Sequence, residues 1–190
     1  GNTGAGRDVV EFLKEALKIL PAGLKIRCVR ADSGFFDQKL LGFLEERELS
    51  YIVVARLGAA LKGMLTGIKE WTEVEGGYEV SELRIKLACW NVERRFVVLR
   101  ERIREGKAAV GRKLLDVPGY TYRVWVTSRT ESAVEIWRDY NARATVEQRI
   151  EEMKNDLHAD GFCTKAFLAT EAAFLGVVLS YNRSPFTKRK

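Results

Sequence analysis

The chain has 190 residues, 46% of them hydrophobic, enough for one domain with a sizeable core or for one core carrying an insertion. Its 32 basic and 26 acidic side chains leave a formal charge of +6, a mild excess that suits a polyanionic partner. Composition excludes several classes. No apolar run approaches the ~18–20 residues of a membrane span, and Gly1–Arg7 lacks the basic-then-apolar pattern of a secretory leader. A cytoplasmic setting without a membrane partner is therefore expected. Cys28, Cys89 and Cys163 are odd in number and far apart, which argues against a disulfide framework or a zinc site. They read as small buried hydrophobes. The single histidine, His158, falls near a helix end and supports no histidine-based metal cluster.

In chain order, residues 8–20 read as a helix, with Val9, Leu13, Ala16, Leu17 and Leu20 at helical spacing and Pro21 after it. Lys25–Ala31 alternates between glycines and reads as a strand, with Asp32 at its C-terminal end. Residues 37–46 form a short helix with Leu40, Leu41 and Leu44 inward. Tyr51–Ala55 is a continuous apolar run, typical of a strand covered on both faces. This β-α-β order predicts a parallel pair with a right-handed crossover.

A short helix over residues 58–68 comes next, and then the texture changes. Residues 70–75 and 78–80 flank Gly76-Gly77, a hairpin signal. Leu83–Trp90 and Arg95–Arg104 alternate and are expected to pair about residues 91–93. On that register Arg84 and Lys86 lie across from Arg100, Arg102 and Arg104, forming a basic strip on one sheet face. The segment 94–113 holds eight basic residues against two acids, so the strip is a candidate phosphate contact, with a merely solvated face as the alternative. Tyr120–Thr127 is a strand rich in aromatic and β-branched residues. Residues 165–181 form an apolar helix expected to be buried against the sheet. The domain reading is a split core over 1–69 and 120–182, a β-rich insertion over 70–119, and a basic tail over 183–190.

The most informative stretch runs from Ser132 to Asn155. Ser132 and Glu135 make a capping box. On one continuous helix Tyr140, Arg143, Glu147 and Lys154 fall on a single narrow face, because offsets of three, four and seven residues return to nearly the same side. Arg143 and Glu147 alone are equally an ordinary i,i+4 ion pair. Asp32 alone is equally an Asx-turn residue.

Together these residues carry a resemblance. Tyr140-x2-Arg143-x3-Glu147-x6-Lys154, with the stretch Arg30-Ala31-Asp32-Ser33-Gly34-Phe35, resembles the Tyr–Arg–Glu–Lys branch of bacterial insertion-sequence DDE transposases, over nearly the whole chain. The resemblance implies an α/β, RNase H-like (retroviral-integrase-like) core whose β-rich insertion lies between the second acid and the glutamate helix. It implies that Asp32 and Glu147 are the second and third catalytic acids. These would help hold two Mg2+ (or Mn2+) ions for phosphoryl transfer on DNA. Tyr140, Arg143 and Lys154 would then hold DNA phosphates near the metals. Trp71 and Trp90 would be candidates to stack on a base swung out of the duplex. The implied partner is double-stranded DNA, both transposon ends and target.

The family's first aspartate has no counterpart here: Asp8 opens a helix, and Glu11 and Glu15 lie within it. The chain is therefore expected to be the C-terminal part of a catalytic domain, truncated at its N-terminus. Alone it should be catalytically silent, and it should hide its raw sheet edge by homo-oligomerisation or strand addition. Two other readings remain open: a non-catalytic DNA-binding or assembly module, and a nuclease completed by another chain.

Overall fold

The computed structural model describes residues 8–102, 119–142, 144–162 and 166–183. They divide into two units, Gly1–Tyr140 and Asn141–Lys190. In the first unit the chain runs α1 (Val9–Lys18), β1 (Val29–Ala31), α2 (Gln38–Glu46), β2 (Tyr51–Val54) and α3 (Ala59–Leu65). Four strands follow, β3 (Thr72–Val74), β4 (Tyr78–Ile85), β5 (Arg94–Arg102) and β6 (Tyr120–Thr127), and then α4 (Ala133–Asn141). The second unit holds α5 (Ala144–Leu157) and α6 (Phe167–Arg183).

The six strands form one mixed sheet in the order β1-β2-β6-β5-β4-β3. β1 and β2 are parallel, as the β-α-β reading predicts, and every other neighbouring pair is antiparallel. The two outer strands among the described residues, β1 and β3, are three residues each, and such short edges limit edge-to-edge pairing. The strands of segment 70–119 extend this same sheet beyond β6.

The sheet is covered on both faces, and the sequence shows why. Leu40, Leu41, Phe43 and Leu44 of α2 pack with Leu61 and Leu65 of α3 against Tyr51, Val53, Phe96, Val98, Val124 and Val126. The alternate residues of the same strands, Ile52, Val97, Leu99 and Trp125, meet Ile136, Trp137 and Tyr140 of α4 on the other face. Strands buried on both sides read as continuous apolar runs rather than alternations. Asp37 starts α2 by accepting from the Lys39 amide at 2.8 Å, and the Ser132–Glu135 capping box forms as read.

Several expectations are corrected. β4 starts directly after Gly77 and ends at Ile85, so residues 86–93 are not strand. The register pairs Arg84 with Arg95 and Glu79 with Arg100. Relative to a hairpin folded about residues 91–93 this is an odd slip, and an odd slip moves side chains to the opposite face. Arg84 therefore does not share a face with Arg100 and Arg102, and the basic strip does not form as drawn. Arg104 lies outside the described residues. Strand β1 is shorter than the alternation over 25–31 suggested.

The helix over 132–155 is two helices, α4 and α5, ending and restarting around Ala142. Asn141 closes α4, consistent with the competition its side chain offers to helical backbone bonding. In the second unit, described by itself, α6 leaves Phe167, Leu168, Leu175 and Leu179 exposed. Within its unit α6 meets α5, and a single neighbour covers only one stripe of a helix that is apolar nearly all round. Cys89 is exposed rather than buried, whereas Cys28 is half-buried and its thiol pKa is raised by burial. Cys163 lies outside the described residues.

Candidate metal and nucleic-acid site

Asp32 follows the last residue of β1 directly. Its backbone is extended, and the chain then makes one 3-10 turn over Ser33–Phe35. The turn is closed twice: the Phe35 amide donates to the Asp32 carbonyl at 3.1 Å, and the Gly34 amide donates to Asp32 Oδ1 at 2.8 Å. The side chain is exposed, and its second oxygen, Oδ2, has no protein hydrogen-bond partner among the described residues. β1 and β2 run parallel, so the segment after β2 emerges at the same end of the sheet. Ends of parallel strands are where α/β sheets gather their sites. From that segment Arg56 donates through Nε to the Ser33 carbonyl at 2.7 Å and through Nη2 to the Gly34 carbonyl at 3.1 Å.

Two residues before Asp32, Arg30 donates to the backbone carbonyl and the carboxylate of Asp139, a partner 109 residues away. Arg129 also binds Asp139, and it pairs with Glu131, whose carboxyl its hydrogen bonds hold down to about 2. These contacts tie β1, the turn after β6 and the last turn of α4 together.

The next residue, Tyr140, is 9% exposed and packs its ring on Trp125, with centroids 5.3 Å apart. Tyr140 thus belongs to the core of the first unit, on α4, whereas Glu147 and Lys154 lie on the separate helix α5. Arg143 lies outside the described residues. Glu147 and Lys154 both lie on α5, seven positions apart. Lys154 is exposed in its last turn.

Arg100 is bound on three sides. It sits 3.9 Å from the Trp71 ring centre and 4.5 Å from that of Tyr120, and it makes a two-point contact with Glu79 at 2.7 and 2.9 Å. Arg100 lowers the Glu79 pKa through those hydrogen bonds. Arg102 is exposed at the end of β5. Trp71 is half-buried, donates to the Ile68 carbonyl at 3.2 Å and offers one ring face to Arg100. Trp90 is 5% exposed, stacked on Phe96 and covered by the Arg94 guanidinium.

No group of three or more His, Cys, Asp or Glu side chains gathers among the described residues. The available donors are nevertheless of the right kind. An exposed carboxylate with one oxygen fixed and the other open is a hard oxygen ligand, which suits Mg2+ or Mn2+ rather than a metal preferring nitrogen or sulfur. The side chains that sequence reasoning missed are Arg56 and Asp139. Arg56 had a usable signal, because it lies just past the strand paired in parallel with the one that ends at Asp32. Asp139 had none, since its partners are remote in the chain.

No helix among the described residues is long and apolar enough to cross a membrane. The family model described as transposase DDE domain matches residues 2–183. A comparison with curated proteins finds no match.

Proposed function

The chain belongs to the transposase DDE-domain family, and from that premise we propose that Asp32 and Glu147 are two of the carboxylates through which it acts on DNA. The family's role is DNA transposition, its substrate is DNA, and its members generally use divalent metal ions. We further assign the chain to the branch marked by the Tyr–Arg–Glu–Lys spacing, with Tyr140, Arg143 and Lys154 as its remaining signature residues.

The observation that carries this reading is the state of Asp32. It stands at a strand end, with one oxygen fixed by the Gly34 amide and the other exposed without a protein partner among the described residues. An Asx-turn needs only the first oxygen, so the second is available to a ligand. When bound, Mg2+ would activate an attacking hydroxyl and stabilise the leaving oxygen. Asp32 and Glu147 would supply its oxygen ligands, and Lys154 would neutralise a phosphate as a point charge. Arg102, exposed at the end of β5, would extend the phosphate-binding surface.

In this chain no acid ahead of Asp32 stands on a described strand: Asp8 directly precedes α1, and Glu11 and Glu15 belong to it. We therefore expect the chain alone not to nick DNA. A second reading, a nuclease completed by another chain, draws on β1, beside Asp32, being an outer strand of the sheet among the described residues. Mn2+ titration of the chain tests the assignment. Asp32→Asn and Glu147→Gln should each weaken binding by at least the ~10-fold typical of losing a metal-site partner. Unchanged affinity in either variant would overturn it. Nicking of transposon-end DNA with Mg2+ that Glu147→Gln abolishes would refute the expected silence.

A further inference from the structure

We propose that Arg56 is a positioning residue for Asp32, setting the direction of its carboxylate through one rigid peptide plane. The proposal deepens the metal reading above and rests on it. Ser33 and Gly34 share a planar trans peptide, in which the Ser33 carbonyl and the Gly34 amide point in opposite directions. Arg56 grips one end of that plane by donating from Nε to the Ser33 carbonyl at 2.7 Å. The other end donates to Asp32 Oδ1 at 2.8 Å. Fixing the carbonyl fixes the amide, and fixing the amide fixes the oxygen that accepts from it. The second donor, Nη2 to the Gly34 carbonyl at 3.1 Å, stops the turn rotating about the first contact.

The turn itself is weak. It has one backbone bond at 3.1 Å and another at 3.4 Å, and glycine at its centre adds conformational freedom. An arginine fork spanning two successive carbonyls supplies what the turn lacks. Arg56 follows β2, the strand beside β1, so the grip also couples the Asp32 turn to the neighbouring strand of the sheet.

The sign of the effect distinguishes positioning from simple electrostatics. Arg56 is a fixed cation close to a proposed cation site, so removing its charge should by Coulomb's law alone strengthen Mn2+ binding. Positioning predicts weakening. The experiment uses the 15N-labelled chain and its Arg56→Gln, Arg56→Lys and Asp32→Asn variants. It measures Gly34 amide exchange without metal, Mn2+ affinity by titration, and the thermal midpoint. In Arg56→Gln, Gly34 exchange should rise about tenfold, as for loss of a support to a charge-assisted hydrogen bond. Mn2+ affinity should fall roughly tenfold, with the midpoint within about 3 °C of the parent. Arg56→Lys should not restore either quantity, because an ammonium is a point charge without a fork.

Unchanged Gly34 exchange in Arg56→Gln overturns the proposal. So does Mn2+ binding that is unchanged or tighter in that variant while Asp32→Asn weakens it. If Asp32→Asn binds Mn2+ as well as the parent does, the metal reading fails, and Gly34 exchange still decides whether Arg56 holds the carboxylate.

Discussion

Glu45→Ala should destabilise the first unit by several kcal/mol, and the structure sets the size. Arg94 is 6% exposed, yet it is a permanent cation. Its charge is matched by Glu45, which accepts from Nε and Nη2 at 2.7 Å each, and the same carboxylate accepts from the Tyr51 hydroxyl at 2.7 Å. Its remaining nitrogen, Nη1, is buried without a hydrogen-bond partner among the described residues and lies with the guanidinium over the Trp90 ring. Burial alone works to raise the Glu45 pKa, but the hydrogen bonds from Arg94 and Tyr51 outweigh it, and the carboxyl ends below its ordinary value. The Tyr51 hydroxyl is pushed far above its ordinary value by burial and by the same carboxylate.

Removing one partner of a buried pair costs about 3–5 kcal/mol, because the other charge is stranded. The Glu45 side chain is 33% exposed, so water reaches the vacated space and offsets part of that. A loss of about 2–3 kcal/mol is expected, which for a chain of this size lowers the melting midpoint by about 4–12 °C. Arg94→Met in the Glu45→Ala background removes the stranded charge and should recover at least about 1 kcal/mol. Urea unfolding followed by tryptophan fluorescence measures all three proteins. A Glu45→Ala loss below about 0.5 kcal/mol, within the range of neutral surface changes, would refute the reasoning. A double variant no more stable than the single would refute it equally.

The remaining predictions concern pH and DNA. Glu45, Glu79 and Glu131 all have pKa values below their unfolded ones, so their stabilisation is present above about pH 4.5. It should be lost as the pH falls toward about 2, where Glu131 protonates, and acid titration of the melting midpoint reads it. Lys154→Ala and Arg102→Ala should weaken DNA binding across sequences and shrink the salt slope by about 0.9 for each phosphate no longer neutralised. Arg100→Ala should change the salt slope less, because Glu79 already matches its charge; an equal change would show that Arg100 leaves Glu79 for the phosphate.

What was legible in the sequence was what local chemistry dictates. The apolar run Tyr51–Ala55, which holds β2, the Gly76-Gly77 turn, the Ser132–Glu135 box and the aromatic strand Tyr120–Thr127 each carry their own signal, and each forms. Asp32 was legible because a strand end followed by Ser-Gly is a local pattern. The register of β4 on β5 was not, because residues 83–90 alternate beyond the end of the strand. Nor was the interruption between α4 and α5: the apolar period continues past Asn141, while Trp137 and Tyr140 are held in the core by packing that only the fold supplies. Arg100 read as a candidate phosphate contact because Glu79 and the Trp71 and Tyr120 rings reach it only through the fold.

Tyr140 is where those two levels collide, and a pair of variants separates them. Its place in the signature points to a phosphate contact by the hydroxyl, whereas its ring is 9% exposed against Trp125 in the core under α4. The ring and the hydroxyl have different jobs, so they must be removed separately. Tyr140→Ala deletes a buried aromatic side chain and should cost about 3–5 kcal/mol, enough to depress DNA binding by unfolding alone. Tyr140→Phe keeps the ring and should cost no more than about 1.5 kcal/mol, the net worth of an ordinary hydrogen bond. If the hydroxyl serves DNA, Tyr140→Phe should weaken binding to transposon-end DNA at a temperature where both proteins remain fully folded. If affinity is unchanged while Tyr140→Ala unfolds, the tyrosine at this position of the signature is a packing residue, and phosphate recognition falls to the cations.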